Sequence, residues 1–237
     1  MRHHRTVMAS LSLVALMLVS AIPSPRGDAA TLDVIGFSED GRFLAFEQHG
    51  EIEARPAYWS EFYFIEVARN AWAAPPVRFA DAQMLPDSVR AHSRRRAQPL
   101  LDSLGIRTGN RGQHLLSHRF TDTGVDPHKA QFVIGTPPRI GKFFESFDLT
   151  LTPWDAGSMC GDFGTAKLFR LTLRPQHGEE IILQEDVRLP KSRGCPLDYR
   201  IQDVYLYNRT LAVFLNMMLP GWEGHDMRYL VVTGAVD

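Results

Sequence analysis

Histidines and acids gather most densely between residues 114 and 128. His114 and His118 are four apart and so share one face of a helix or a strand. Asp122, Asp126 and His128 follow closely. Imidazole and carboxylate ligands of this kind suit Zn²⁺, and a bound zinc would make a small metal-assisted hydrolase. Against that, residues 115–117 are Leu, Leu and Ser, so the glutamate of an HExxH site is missing. Surface and loop-capping roles are the favoured account, with a His114, His118, Asp122 and His128 metal site kept as the alternative. Two motif-like runs fail on context. Gly157-Ser158-Met159-Cys160-Gly161 lacks the glycine two residues before the serine that a nucleophile elbow needs. Asp162-Phe163-Gly164 repeats a kinase triplet without a phosphate-binding loop or a catalytic loop.

The most distinctive cluster is Ser192-Arg193-Gly194-Cys195-Pro196 with Asp198, Tyr199 and Arg200. Arg193 and Arg200 could grip a carboxylate or phosphate bidentately, with Asp198 beside them. The structural reading is preferred: Gly194 and Pro196 shape a turn that Cys195 anchors. The loop Gly221-Trp222-Glu223-Gly224-His225-Asp226 offers a second surface, in which Trp222 is either an exposed binding aromatic or a lid on the core. No catalytic residue and no cofactor is expected.

These residues need a frame, and composition bounds it. The chain has 237 residues, 44% hydrophobic and 22% charged, as an ordinary globular protein does. A formal charge of −1 supplies no electrostatic reason to expect nucleic acid. Arg2, His3, His4 and Arg5 precede an apolar run from Val7 to Ile22, and Gly27 and Ala29 then occupy small-residue positions. This reads as a signal peptide over 1–29, cleaved after Ala29, and a single secreted domain over 30–237. Its removal takes away three arginines and one aspartate, moving the charge from −1 to −3. No later segment is long and apolar enough for a transmembrane anchor. The 22 arginines against four lysines fit a GC-rich bacterial genome, which makes the address periplasmic or secreted. In that oxidising setting the only two cysteines, Cys160 and Cys195, are expected to pair. Closing such a loop would constrain the unfolded chain by ~3–4 kcal/mol.

The fold class follows from periodicity: mainly β, antiparallel sheets in a sandwich or partial propeller. Phe147, Leu149 and Leu151 alternate with Asp148, Thr150 and Thr152, and Phe169, Leu171 and Leu173 repeat the pattern. Ser38-Glu39-Asp40-Gly41 has the chemistry of a tight turn, and Pro75-Pro76 limits its strand to an edge. One helical insertion is expected over 87–104, with Asp87 as N-cap and Pro99 kinking or splitting it. Its Arg90, Arg94, Arg95 and Arg96 read as a solvated face. An irregular connection follows over 105–128. There is also an internal echo. The run from Phe37 to Phe46 resembles that from Leu206 to Phe214, and each is followed by an aromatic strand. Such a repeat is how a sheet blade is written.

The run Gly36-Phe37-Ser38-Glu39-Asp40-Gly41-Arg42-Phe43-Leu44-Ala45-Phe46 resembles the opening of a TolB-like propeller blade. Three other stretches are Leu101–Ile106, Leu189–Ile201 and Pro220–Tyr229. With them, the chain resembles the bacterial predicted-secreted-protein family called domain of unknown function 2259. That resemblance implies export and assigns no activity. The expected role is therefore a non-catalytic binding or cell-envelope interaction module. Its partner would be an envelope protein or a small ligand.

Overall fold

The computed structural model describes residues 27–52, 57–119, 121–135, 144–222 and 224–236. Residues 1–26 of the leader expected over 1–29 lie outside them, as does Glu223 of the tryptophan loop. Among the described residues, twelve strands form three four-stranded antiparallel sheets. The N-terminal sheet has the order β1 (Thr31–Phe37), β2 (Phe43–Ile52), β3 (Ala57–Glu66) and β4 (Ala71–Asp81). Helix α1 (Pro86–Ser103) and β5 (Gln113–Ser117) follow. The third sheet contains β6 (Lys129–Gly135), β7 (Phe144–Met159), β8 (Thr165–Pro175) and β9 (Ile181–Glu185) in sequence order. The central sheet runs β12 (His225–Ala235), β11 (Thr210–Pro220), β10 (Asp198–Tyr207) and β5.

The centre of the stack is β11, Thr-Leu-Ala-Val-Phe-Leu-Asn-Met-Met-Leu-Pro. An apolar run without alternation belongs in a strand buried on both faces. Leu211, Val213, Leu215 and Met217 pack toward the third sheet. Ala212, Phe214 and Met218 pack toward the N-terminal sheet. The outer face of the N-terminal sheet is covered by α1, whose Ala97 and Leu101 meet Ile35, Phe62 and Phe64. The layers are thus helix, sheet, sheet, sheet. They stack rather than closing into a ring, so the TolB-like blade resemblance finds no support, whereas the mainly-β reading holds.

Local chemistry explains the turns. Asp40 accepts hydrogen bonds from the Ser38 hydroxyl at 2.7 Å and the Arg42 amide at 3.1 Å, which holds its carboxyl at about 2. Gly41 supplies the positive φ of 74°. Pro75 and Pro76 lie in β4, which is an edge strand as expected.

Three expectations need correction. α1 is one continuous helix through Pro99, so Pro99 does not split it in two, and Pro99 and Arg95 lie on the solvent face. Water can take the Arg95 carbonyl that Pro99 leaves without a donor. The N-cap is Leu85 with Pro86 in the first turn, so Asp87 sits inside the helix. The connection is not wholly irregular, since β5 pairs with β10. Gly112 permits this: a Cβ there would lie 2.4 Å from the Leu206 carbonyl oxygen.

Asn70 ties all three sheets together. It ends the short 3₁₀ turn Val67–Arg69 in the left-handed conformation, at φ 46°. Its Oδ1 accepts from the Thr233 amide of β12 at 3.0 Å, and its Nδ2 donates to Gln184 of β9 at 2.8 Å. Replacing Asn70 with Gly keeps the backbone conformation and removes only these bonds. Denaturant titration should show Asn70→Gly destabilised by ~2 kcal/mol and Asn70→Ala by more. Equal stability of Asn70→Gly and the parent would deny the residue this role.

Candidate functional site

A cleft of about 880 Å³ opens where the N-terminal and central sheets meet. Ligand pockets are commonly of about this size. β2 and β3 supply one wall, and their register sets Gly50 opposite Trp59. A Cβ on Gly50 would come within 3.3 Å of the indole and 3.2 Å of the Ala29 carbonyl oxygen. The glycine therefore lets chain and ring close on one another. Trp59 donates through Nε1 to the Glu51 carbonyl at 3.4 Å, and the Arg228 guanidinium stacks 4.5 Å from its ring centre. Met218 and Met227 of the central sheet supply adaptable apolar surface opposite.

The rim is polar and fixed. Arg90 of α1 reaches back to the sheet, donating to Glu47 at 3.0 and 2.7 Å and to Asp33 at 3.0 Å. Glu47 is only 2% exposed and also accepts from Ser60 at 2.9 Å. The Glu47 hydrogen bonds hold the Arg90 pKa above its ordinary value, and burial opposes them. The expected solvated arginine face thus loses its first member to a half-buried ion pair with the buried Glu47. His49 lines the cleft beside Arg90. Burial first, and then the Arg90 charge, push its pKa below 6.5, against the pull of Glu47, Asp33 and Asp87. Its ring therefore presents a neutral imidazole to the cleft near neutral pH.

The residues singled out by sequence are dispersed. Arg193 is buried, paired with Asp186 and stacked 4.6 Å from the Phe169 ring and 5.8 Å from that of Tyr199. Its donors face inward, so it anchors the turn beside the disulfide. Asp198 and Arg200 approach to 3.4 Å, and Asp198 also lies 3.4 Å from His128. Cys160 and Cys195 are joined as expected, with Cα atoms 5.7 Å apart. His225 lines the cleft mouth. Trp222 is 83% exposed at the adjoining hairpin tip, and so is no lid on the core.

The histidine cluster does not converge. His114 bonds Asp203 at 2.8 Å and stacks on Tyr205. His128 bonds the Tyr199 carbonyl at 3.1 Å. Asp122 caps the Arg119 amide at 2.8 Å, while the His118 amide donates to the Gln202 carbonyl. Among the described residues no group of three His, Cys, Asp or Glu side chains could hold a metal ion. The hydrolase alternative loses its support.

Sequence reasoning missed His49, Tyr58, Trp59 and Arg90. Trp59 reads as core in an aromatic strand, and most of it is. A usable signal was Glu47, an acid directly after the apolar run Phe43–Phe46 at the parity that faces α1.

The model of a family described as predicted secreted protein (DUF2259) matches residues 45–235. No curated protein and no solved structure matches the chain.

Two measurements probe this arrangement. Arg193→Ala leaves Asp186 buried without its partner and should cost ~3–5 kcal/mol in denaturant titration, whereas a ligand-gripping surface arginine would cost almost nothing. For His49, the depressed pKa means that the unfolded chain takes up a proton first. Stability is therefore full above about pH 6.5 and falls as the pH drops from there to the folded-state pKa. The melting temperature of the parent should fall more between pH 7 and 5.5 than that of His49→Gln. Parallel curves would refute the assignment.

Proposed function

The chain belongs to this predicted secreted protein family, and from that premise we propose that it is an exported binding module that takes its ligand in the Trp59 cleft. One observation carries the reading: an indole and two methionines line a cleft of about 880 Å³ whose rim arginine, Arg90, is already held by Glu47. Such a site offers shape and apolar surface. The ligand it suits has a flat apolar body and polar ends that face His49, Glu51 and His225.

Export agrees with the family description and with the Cys160–Cys195 disulfide, which belongs to an oxidising compartment. We place the protein in the bacterial periplasm or outside the cell. Among the described residues no helix is long and apolar enough to cross a membrane. Trp222, on the hairpin that carries His225, gives a partner protein or the ligand's outer end something to touch.

The dye 1-anilinonaphthalene-8-sulfonate has the shape and polarity the cleft asks for. Fluorescence titration should show saturable binding at one site per chain. Thr31→Trp places an indole in the cleft mouth from an exposed position and should weaken that binding at least about tenfold, ~1.4 kcal/mol, at unchanged melting temperature. Dye binding that does not saturate, or that Thr31→Trp leaves alone, would sink the reading.

A further inference from the structure

β12 is the last strand of the central sheet, and its pairing with β11 runs without a bulge. In such an antiparallel pair every second residue turns both its amide and its carbonyl away from the partner strand. The Met227, Tyr229 and Thr233 amides all find acceptors outside the sheet, so the odd-numbered positions are the outward ones and Val231 is among them. A strap of Gly27, Asp28 and Ala29 runs beside the start of the strand, where Ala29 bridges Met227 and the Asp28 carbonyl accepts from the Met227 amide at 2.8 Å. Gln48 Oε1 accepts from the Tyr229 amide at 2.9 Å, and Asn70 Oδ1 from the Thr233 amide at 3.0 Å. The Val231 amide and carbonyl, between these two, have no partner among the described residues, although Val231 is only 6% exposed.

The edge here faces a second cavity, of about 450 Å³. Tyr229, Leu230, Val231 and Val232 line it in succession. Tyr229 and Val231 pack toward the N-terminal sheet, and Leu230 and Val232 toward the third, so what the four share is their main-chain edge. One flank of the groove is aromatic. Tyr63 stacks on Phe46 at 5.0 Å and meets Trp72 at 6.1 Å, and Trp72 is half exposed. Pro190 and Ser192 stand on the other flank.

An extended peptide answers these groups. Paired antiparallel to Val231, one of its residues would accept from the Val231 amide and donate to the Val231 carbonyl, as an added strand does. The length is limited. At ~3.3 Å per residue the Tyr229 and Thr233 amides stand ~13 Å apart, and Gln48 and Asn70 close the two ends of that gap. A strand running on through a partner protein does not fit between them, whereas a peptide of two or three residues does.

We propose that this groove binds a short free peptide, two or three residues long, with its main chain paired to Val231 and an apolar or aromatic side chain against Tyr63 and Trp72. The groove shares no lining residue with the Trp59 cleft, so the two sites fail separately.

The probe is acetyl-Ala-Phe-Ala-amide, titrated into the ¹⁵N-labelled exported protein and followed through its amide resonances. The Val231 amide proton should move downfield and saturate at one peptide per chain. The same peptide N-methylated at its phenylalanine lacks the donor for the Val231 carbonyl and should bind at least about tenfold more weakly. Ser192→Trp fills the groove from an exposed position and should weaken the unmethylated peptide at least about tenfold at unchanged melting temperature, while Thr31→Trp in the other cleft leaves it unchanged. A Val231 resonance that does not respond, or responds equally to the methylated peptide, overturns the proposal. Movement of the Trp72 ring signals alone would show apolar contact without main-chain pairing and overturns it too. So does binding that Thr31→Trp abolishes and Ser192→Trp leaves intact.

Discussion

The edge of the central sheet is the constraint on which the rest of the structure depends. β11 is buried on both faces, so its sheet must be sandwiched, yet β12 still presents a row of outward amides. An unpaired amide at such a depth costs ~1–3 kcal/mol. The neighbouring segments satisfy three of those amides one by one: the Asp28 carbonyl takes Met227, Gln48 Oε1 takes Tyr229 at 2.9 Å, and Asn70 Oδ1 takes Thr233. Because these acceptors come from three separate points in the chain, only one docking of the N-terminal sheet serves them all. The same contacts block the edge against pairing with the strand of another sheet. Apolar burial brings the sheets together, and this row of hydrogen bonds decides how they sit.

The two halves that echo each other in sequence are the two halves that meet here. β1, β2 and β3 form one antiparallel meander, and β10, β11 and β12 form the other. Phe37 stacks on Tyr207 with ring centres 4.9 Å apart, and Phe46 meets Phe214 edge-on at 5.3 Å. The repeat was legible because aromatic positions and turn residues recur in order. Its meaning was not, since the same pattern would serve a propeller blade or a face-to-face pair. What separates them is long-range packing, which periodicity does not encode. Strand alternation, the disulfide and the edge position of Pro75-Pro76 were readable for the opposite reason: each is a local rule or follows from compartment. The leader over residues 1–29 stays an expectation from composition.

Arginine is where local reading failed most. Arg90 and Arg193 each sit in polar sequence and look like surface or ligand groups. Both are structural, and each has a buried carboxylate waiting for it, Glu47 at 2% and Asp186 at 6% exposure. Guanidinium tolerates this because it is planar, weakly hydrated and able to stack, as Arg193 does on Phe169. The signal for such a pair is on the acid and not on the arginine. Glu47 continues the parity of Ala45, which faces α1, while Asp186 follows directly on β9, and both are buried, so each must find a cation or neutralise. Once both arginines are committed to these carboxylates, neither guanidinium is left to grip a ligand's anion. Apolar surface around Trp59 is what the cleft has left.

That cleft lies at the end of the joint and not on one element. Trp59 belongs to the N-terminal sheet, Met218 and Met227 to the central one, and the Gly27–Ala29 strap crosses between them. A ligand seated there touches both sheets and the segment that locks the β12 edge, so its binding energy adds directly to the docking of one sheet on the other. Stability and occupancy are thereby linked through the same few residues.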